Sequence, residues 1–191
     1  MKIIVLGATG LVGQAVVDAL EPRHDLVRAA RTSPVKADLT DPASLDALFD
    51  GGADAVVCCA ANVPLRPLAG LTDAQILDDL RGKLLGQVAL AHRAADRLAD
   101  GGSITLTGGT FDEPLPGSGL GALVNAGLEG FVRSAAAELP RGLRINVVSP
   151  GWIRETLRSM GRDGGTPVAV VADAYLALVE GDANGTTVRP R

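Results

Sequence analysis

The sequence predicts a doubly wound, three-layer α/β fold: a parallel β-sheet covered on both faces by helices. Two observations point to it. Short β-branched runs, apolar on both faces, alternate along the chain with segments of helical periodicity, and strands buried on both sides read as continuous apolar runs rather than alternating ones. These elements also follow one another singly, in the order β-α-β-α-β-α-β-α-β, so each connection is a crossover, right-handed by rule. At 191 residues, 47% apolar and spread over the whole length, the chain suits one domain with its own core. No internal repeat, low-complexity tract or linker divides residues 1–191.

Taken in order, the strand candidates are KIIVLG (2–7), the run from Asp25 to Ala30, ADAVVCC (53–59), SITLT (103–107) and RINVVS (144–149). The first helix is expected over LVGQAVVDAL, from Leu11 to Leu20. Asp41 followed by Pro42 reads as an N-cap with proline at the first helical position. Thr72 with Asp73 starts a long helix expected over roughly 73–99, where Ile76, Leu80, Leu84, Val88, Ala91, Ala95 and Leu98 form one apolar stripe to pack on the sheet. A second long helix is expected over roughly 120–138 and a last one around Tyr175, with the segment from Arg162 to Thr166 as a flexible surface loop.

Bulk properties exclude several partners. A net charge of −4, scattered Lys and Arg, and only three Phe, one Tyr and one Trp provide neither a basic face nor stacking platforms for nucleic acid. No apolar run of membrane-spanning length occurs, and the first strand candidate begins too early to leave room for a signal peptide, so a cytoplasmic location is expected. The only cysteines, Cys58 and Cys59, are adjacent and read as small buried residues. There is no metal-ligand cluster, and His24 and His92 read as surface or packing residues.

The first strand runs into GATGLVG, from Gly7 to Gly13, at the start of a helix. Glycine removes the Cβ and opens unusual backbone angles, so a pyrophosphate can approach the amides of a helix N-terminus, where the dipole favours an anion. The turn, with Gly7, Thr9, Gly10, Leu11 and Gly13, therefore reads as a dinucleotide site, the alternative being a purely structural tight turn. The second strand ends in Arg31, Thr32 and Ser33, where an acid would hold a ribose hydroxyl and a cation accommodates a 2′-phosphate. The fork of Arg31 and two hydroxyls select NADP over NAD, unless Arg31 is only a solvated surface residue.

These features resemble the short-chain dehydrogenase/reductase family, a Rossmann-like fold, from Met1 to about Gly185. The glycine turn is similar to the family's motif. The stretch ADLTD (37–41) is similar to its acidic segment, which implies that Asp38 reaches the adenine and Leu39 flanks it. Cys59, Ala60, Ala61 and Asn62 stand where the family has Asn-Asn-Ala-Gly, and Ala60, Ala61 and Asn62 are expected at the cofactor. The late segment from Glu138 to Ile153 resembles the family's Pro-Gly turn beside the nicotinamide, with Pro150, Gly151, Trp152 and Ile153 at the cofactor and Thr156 near the carboxamide. The resemblance also implies a homodimer or homotetramer paired through the two long helices.

Departures are equally plain. Glycine stands at the place of the family's serine after the fourth strand, within TGGT (107–110), and Gly121 and Asn125 take the tyrosine and lysine positions. The family's asparagine in the long helix is Lys83. Lysine and asparagine have thus exchanged places. Either Lys83 returns a cation to the cofactor ribose from the opposite helix, or both positions have drifted and Lys83 snorkels to water. The catalytic candidates are Lys83, Asn125 and Thr107, with Thr110, Ser118 or water as other proton sources. The expected function is an atypical NADP(H)-dependent oxidoreductase of a small carbonyl or enone, with a nucleotide-binding protein lacking redox turnover as the alternative. Between the Pro-Gly turn and the last helix only the segment from Arg154 to Gly165 remains, implying a small or shallow substrate pocket.

Overall fold

Five apolar runs become the parallel strands β1 (Lys2–Leu6), β2 (Asp25–Ala30), β4 (Ala53–Cys58), β5 (Leu98–Thr107) and β6 (Arg144–Val148). The computed structural model describes all 191 residues. Two further strands of two residues each, β3 (Val35–Lys36) and β7 (Thr187–Val188), close the edges of a seven-stranded sheet in the order β3-β2-β1-β4-β5-β6-β7. Every pairing is parallel. The strand order reverses at β1, whose neighbours are β2 and β4.

Helices α1 (Leu11–Leu20) and α7 (Val168–Glu180) contribute to one face, and α2 (Pro42–Ala47), α4 (Gly86–Arg97) and α5 (Gly119–Ala135) to the other. Alternation along β1 divides the core: Ile3 and Val5 join Val16, Leu20 and Tyr175, while Ile4 and Leu6 join Leu45, Leu90 and Leu128. The short helix α6 (Arg154–Ser159) follows β6. Asp41 caps α2, its side chain accepting from the Ala43 amide, with Pro42 at the first helical position. Thr72 and Gln75 form a reciprocal capping box at α3 (Asp73–Asp79).

Between α3 and α4 the helix is not regular. Residues Leu80–Leu85 form a π turn, in which the Gly86 amide donates to Arg81 O. The expected helix over 73–99 is thus three pieces, and Leu98 begins β5, pairing with Ala53. The expected apolar stripe is only partly the buried face. Of its members Ala91 and Leu98 are buried while Ile76, Leu80, Leu84, Val88 and Ala95 are half-buried, and Lys83, Gly86, Gln87, Leu90 and Ala94 are buried beside them. The face packed inward is offset from the expected stripe, whose Leu80 and Leu84 still pack against the core, because two of the buried positions carry polar residues. Gln87 is satisfied against β5: its Nε2 donates to Thr107 O at 2.9 Å and its Oε1 accepts from Thr107 N at 2.8 Å.

The segment expected as a flexible loop, Arg162 to Thr166, is exposed through Gly165 but anchored at its end. Thr166 is buried, bridges to Ile153 and donates its hydroxyl to Pro190 O at 3.3 Å. No helix is long and apolar enough to cross a membrane.

Candidate active site

At the C-terminal ends of β1, β2 and β4, where the strand order reverses, lies a groove of about 460 Å³. It is lined by Gly7, Thr9, Gly10, Arg31, Thr32, Asp38, Leu39, Ala60, Ala61 and Asn62. Gly7 has φ +88°, and a Cβ there would meet Ala60 N at 2.5 Å. A Cβ on Gly13 would stand 2.0 Å from Gly7 O, so Gly13 lets α1 press against the turn. Gly13 and Leu11 therefore shape the turn without lining the groove, Leu11 pointing its side chain outward.

Arg31 is exposed at the groove and forms no ion pair or hydrogen bond within the chain. Ser33, expected to stand beside it, does not. Its hydroxyl is buried, donating to Val35 O at 2.6 Å and Ala30 O at 3.2 Å, because the turn into β3 folds it inward. The Asp38 carboxylate accepts from the Thr40 amide and hydroxyl, each at 2.8 Å. These bonds, with the Arg31 charge adding to them, hold its pKa below the usual carboxylate value.

A second cavity, of about 260 Å³, meets the groove at Cys59, Ala61 and Asn62, which line both. Its walls include Lys83, Thr110, Phe111, Gly121, Asn125 and the turn from Pro150 to Ile153. Lys83 is only 6% exposed. Its Nζ donates to Gly108 O at 2.8 Å and to Asn125 Oδ1 at 2.9 Å, so it turns inward and not to water. The two exchanged residues are direct partners across the π turn and α5. Burial pushes the Lys83 pKa down to about 8, opposed weakly by Cys58.

Thr107 borders the cavity, but its hydroxyl is on the other face of the sheet, bonded to Cys58 O and the Tyr175 hydroxyl. Strand alternation explains this: Ile104 and Leu106 face α4 and α5, so Thr107 faces α7. Thr107 is thus not available as the proton donor the sequence suggested. Tyr175 is fully buried, and burial raises its phenol pKa well above the ordinary value. Thr156, in α6, does not line the cavity.

Several residues escaped the sequence reading. A Cβ at Gly121 would meet the Phe111 ring at 3.2 Å, so Phe111 fills the space over the position of the expected tyrosine. The one signal in the sequence is a lone aromatic in a loop rich in Gly and Pro. A third hollow, of about 310 Å³, lies beyond Asn125 and carries Glu129, which accepts from Ser149 Oγ at 2.8 Å and pairs with Arg189. Gly108 is required beside it, since a Cβ there would stand 2.3 Å from Ser149 Oγ. Burial pushes the Cys58 thiol up to about 12 and the Cys59 thiol well above its usual value. His24 pairs with Glu180 at 2.9 Å, His92 is exposed, and no group of three metal-ligating side chains occurs.

Residues 8–187 match the family model described as enoyl-(acyl carrier protein) reductase. No curated protein matches the sequence. Among solved structures, the protein lin1944 from Listeria innocua is 33% identical, with a TM-score of 0.94 and coverage of 99% of this chain and 98% of that one. A small-chain dehydrogenase in complex with NADPH is 23% identical, with a TM-score of 0.84 over 99% of this chain and 95% of that chain. A short chain dehydrogenase from Burkholderia cenocepacia in complex with NADP is 24% identical, with a TM-score of 0.85 over 98% and 95%.

Proposed function

Given that the chain belongs to the short-chain dehydrogenase/reductase family, we propose that it is an NADP(H)-dependent oxidoreductase of a small carbonyl or enone, built without the family's serine, tyrosine and lysine. The observation that carries the reading is the continuous cleft: a groove edged by an unpaired arginine opens into a cavity holding a buried, internally bonded lysine.

The residues present fit the cofactor. Gly7 leaves the turn open where a Cβ would collide with Ala60, and Thr9 and Gly10 with the start of α1 would hold the pyrophosphate. Arg31 and Thr32 would take the 2′-phosphate, while Asp38 and Leu39 would flank the adenine. Ala60, Ala61, Asn62 and the turn Pro150, Gly151, Trp152 and Ile153 would border the nicotinamide end. Solved structures of the same fold hold NADPH and NADP. When bound, the reduced cofactor supplies a hydride.

The chain's own residues supply the surroundings. Lys83 places a positive charge in a cavity with no other charged side chain, where negative charge developing on a substrate oxygen is stabilised strongly. Asn125 and the Gly108 carbonyl hold that ammonium in place. Val63, Leu65, Phe111 and Trp152 limit the substrate to a small one with apolar flanks. A protein that binds the nucleotide without redox turnover is the second reading, favoured by the Phe111 ring over Gly121.

Absorbance-monitored NADPH consumption against a panel of small aldehydes, ketones and enones separates the two. The proposal expects turnover with at least one of them. Tight NADPH binding with no consumption across the panel leaves the binding protein as the answer.

A further inference from the structure

Five hydroxyl or ammonium side chains near the cavity carry a proton that a reduction could draw on, and the structure sets four aside. The Thr107 hydroxyl is bonded on the opposite face of the sheet, to Cys58 O and the Tyr175 hydroxyl. Tyr175 itself is fully buried there. The Ser118 hydroxyl donates to Leu115 O at 2.7 Å within its own turn. Thr110 lines the cavity, but an alcohol with no base beside it is a poor acid.

Lys83 is different. An ammonium has three N–H bonds, and two of them are directed at Gly108 O and Asn125 Oδ1, at 2.8 and 2.9 Å. Resting on the oxidoreductase reading above, we infer that Lys83 is the proton donor of the site, its third N–H serving the oxygen of a small uncharged carbonyl seated in the cavity.

The step balances. One N–H bond of the ammonium breaks as the O–H bond of the product alcohol forms, and the carbonyl carbon gains its hydrogen and two electrons from the reduced nicotinamide. The neutral amine left behind keeps two N–H bonds for the same two acceptors, so neither hydrogen bond is lost in the transfer. Water returns the proton.

The charged surroundings favour such a role. From the end of β4 and the residue after it, the Cys58 and Cys59 thiols have raised pKa values and stay neutral, as does the Tyr175 phenol behind β5. From α5, Asn125 is neutral, and Glu129 one turn on is engaged by Ser149 and Arg189. Asp79, before the π turn, pairs with Arg66 at 3.3 Å. No carboxylate pairs with Lys83, and burial leaves it a stronger acid than an exposed lysine, with a pKa of about 8.

Only three lysines occur, Lys2, Lys36 and Lys83, so a ¹⁵N-lysine NMR titration of the protein without cofactor reads the Lys83 amine directly, assigned with Lys83→Met. A midpoint near pH 8 is expected. In Asn125→Asp a carboxylate replaces the amide beside Nζ and should move that midpoint up by about one unit or more. With NADPH and a reduced panel substrate, kcat/KM should fall as pH rises through the same midpoint, because the acid form is lost, and the fall should move with it in Asn125→Asp. Lys83→Met should lower kcat/KM by about 10²-fold or more, with NADPH affinity changed by less than about tenfold.

Turnover in Lys83→Met within about threefold of wild type overturns the assignment while leaving the oxidoreductase reading intact. So does a pH profile that stays fixed when the Asn125→Asp midpoint moves. A wild-type protein that binds NADPH and reduces nothing removes both.

Discussion

Lys83 and Asn125 show what one residue can and cannot disclose in sequence. Their exchange is legible as a pair of residue types out of place, yet whether the lysine faces water or its partner depends on α5 and the π turn meeting across the cavity. Thr107 and Ser33 illustrate the same limit: a hydroxyl at a promising position is useful only if its bonds are unspent, and both are committed internally. Burial of the Lys83 ammonium gives a pH signature. Its folded pKa of about 8 lies below the ordinary lysine value of 10.5, so the unfolded chain binds the proton more tightly. The destabilisation is fully present below pH 8 and relieved as pH rises from about 8 to 10.5. Melting temperature of wild type relative to Lys83→Met should therefore rise across that window, and a flat difference would show that the ammonium is not desolvated. At the turn, Gly13→Ala places a Cβ 2.0 Å from Gly7 O, a backbone atom that cannot swing aside. Denaturant unfolding should show a loss of about 1–3 kcal/mol or more.

At the scale of elements, caps were readable and faces were not. Asp41 with Pro42 and Thr72 with Gln75 announce two helix starts by chemistry local to a few residues. The π turn leaves no such mark, and the polar residues Lys83 and Gln87 occupy the face that packs inward. Gly86, closing the π turn, brings α4 against the segment that borders the groove: a Cβ there would lie 2.6 Å from Leu39 Cβ and 2.9 Å from Leu39 O. Gly86→Ala should push Leu39 into the groove and weaken NADPH binding severalfold while far-UV circular dichroism is retained. Unchanged affinity would mean that Leu39 does not border the cofactor. The strands β3 and β7 escaped notice because two residues carry no periodicity, yet β7 delivers Arg189 to Glu129.

For the whole molecule, the five long strands and their α/β order were legible because each is a continuous apolar run between helices, while the sheet's edges and the cavity's walls needed three dimensions. The helices around the cavity also bear on assembly. Leu77, Leu85 and Leu123 are about half-exposed on α3, the π turn and α5, and Leu84 packs on Gly127 where these elements meet. We propose a homodimer or homotetramer paired through this surface, with a mass by light scattering of two or four times the 19.5 kDa chain and a smaller assembly in Leu85→Glu with Leu123→Glu; a monomeric wild type at micromolar concentration would remove it. The cleft itself spans the sheet's C-terminal edge from Arg31 to Lys83, and its identity as a site for NADPH is the claim on which the rest depends. Calorimetric titration of wild type and Arg31→Ala with NADPH and NADH tests it most directly. A charge-assisted contact contributes about 1.5–3 kcal/mol, so NADPH should bind about tenfold to a hundredfold tighter than NADH in wild type, with the preference largely erased in Arg31→Ala. Equal affinities in wild type, or a preference that survives the loss of Arg31, would contradict it.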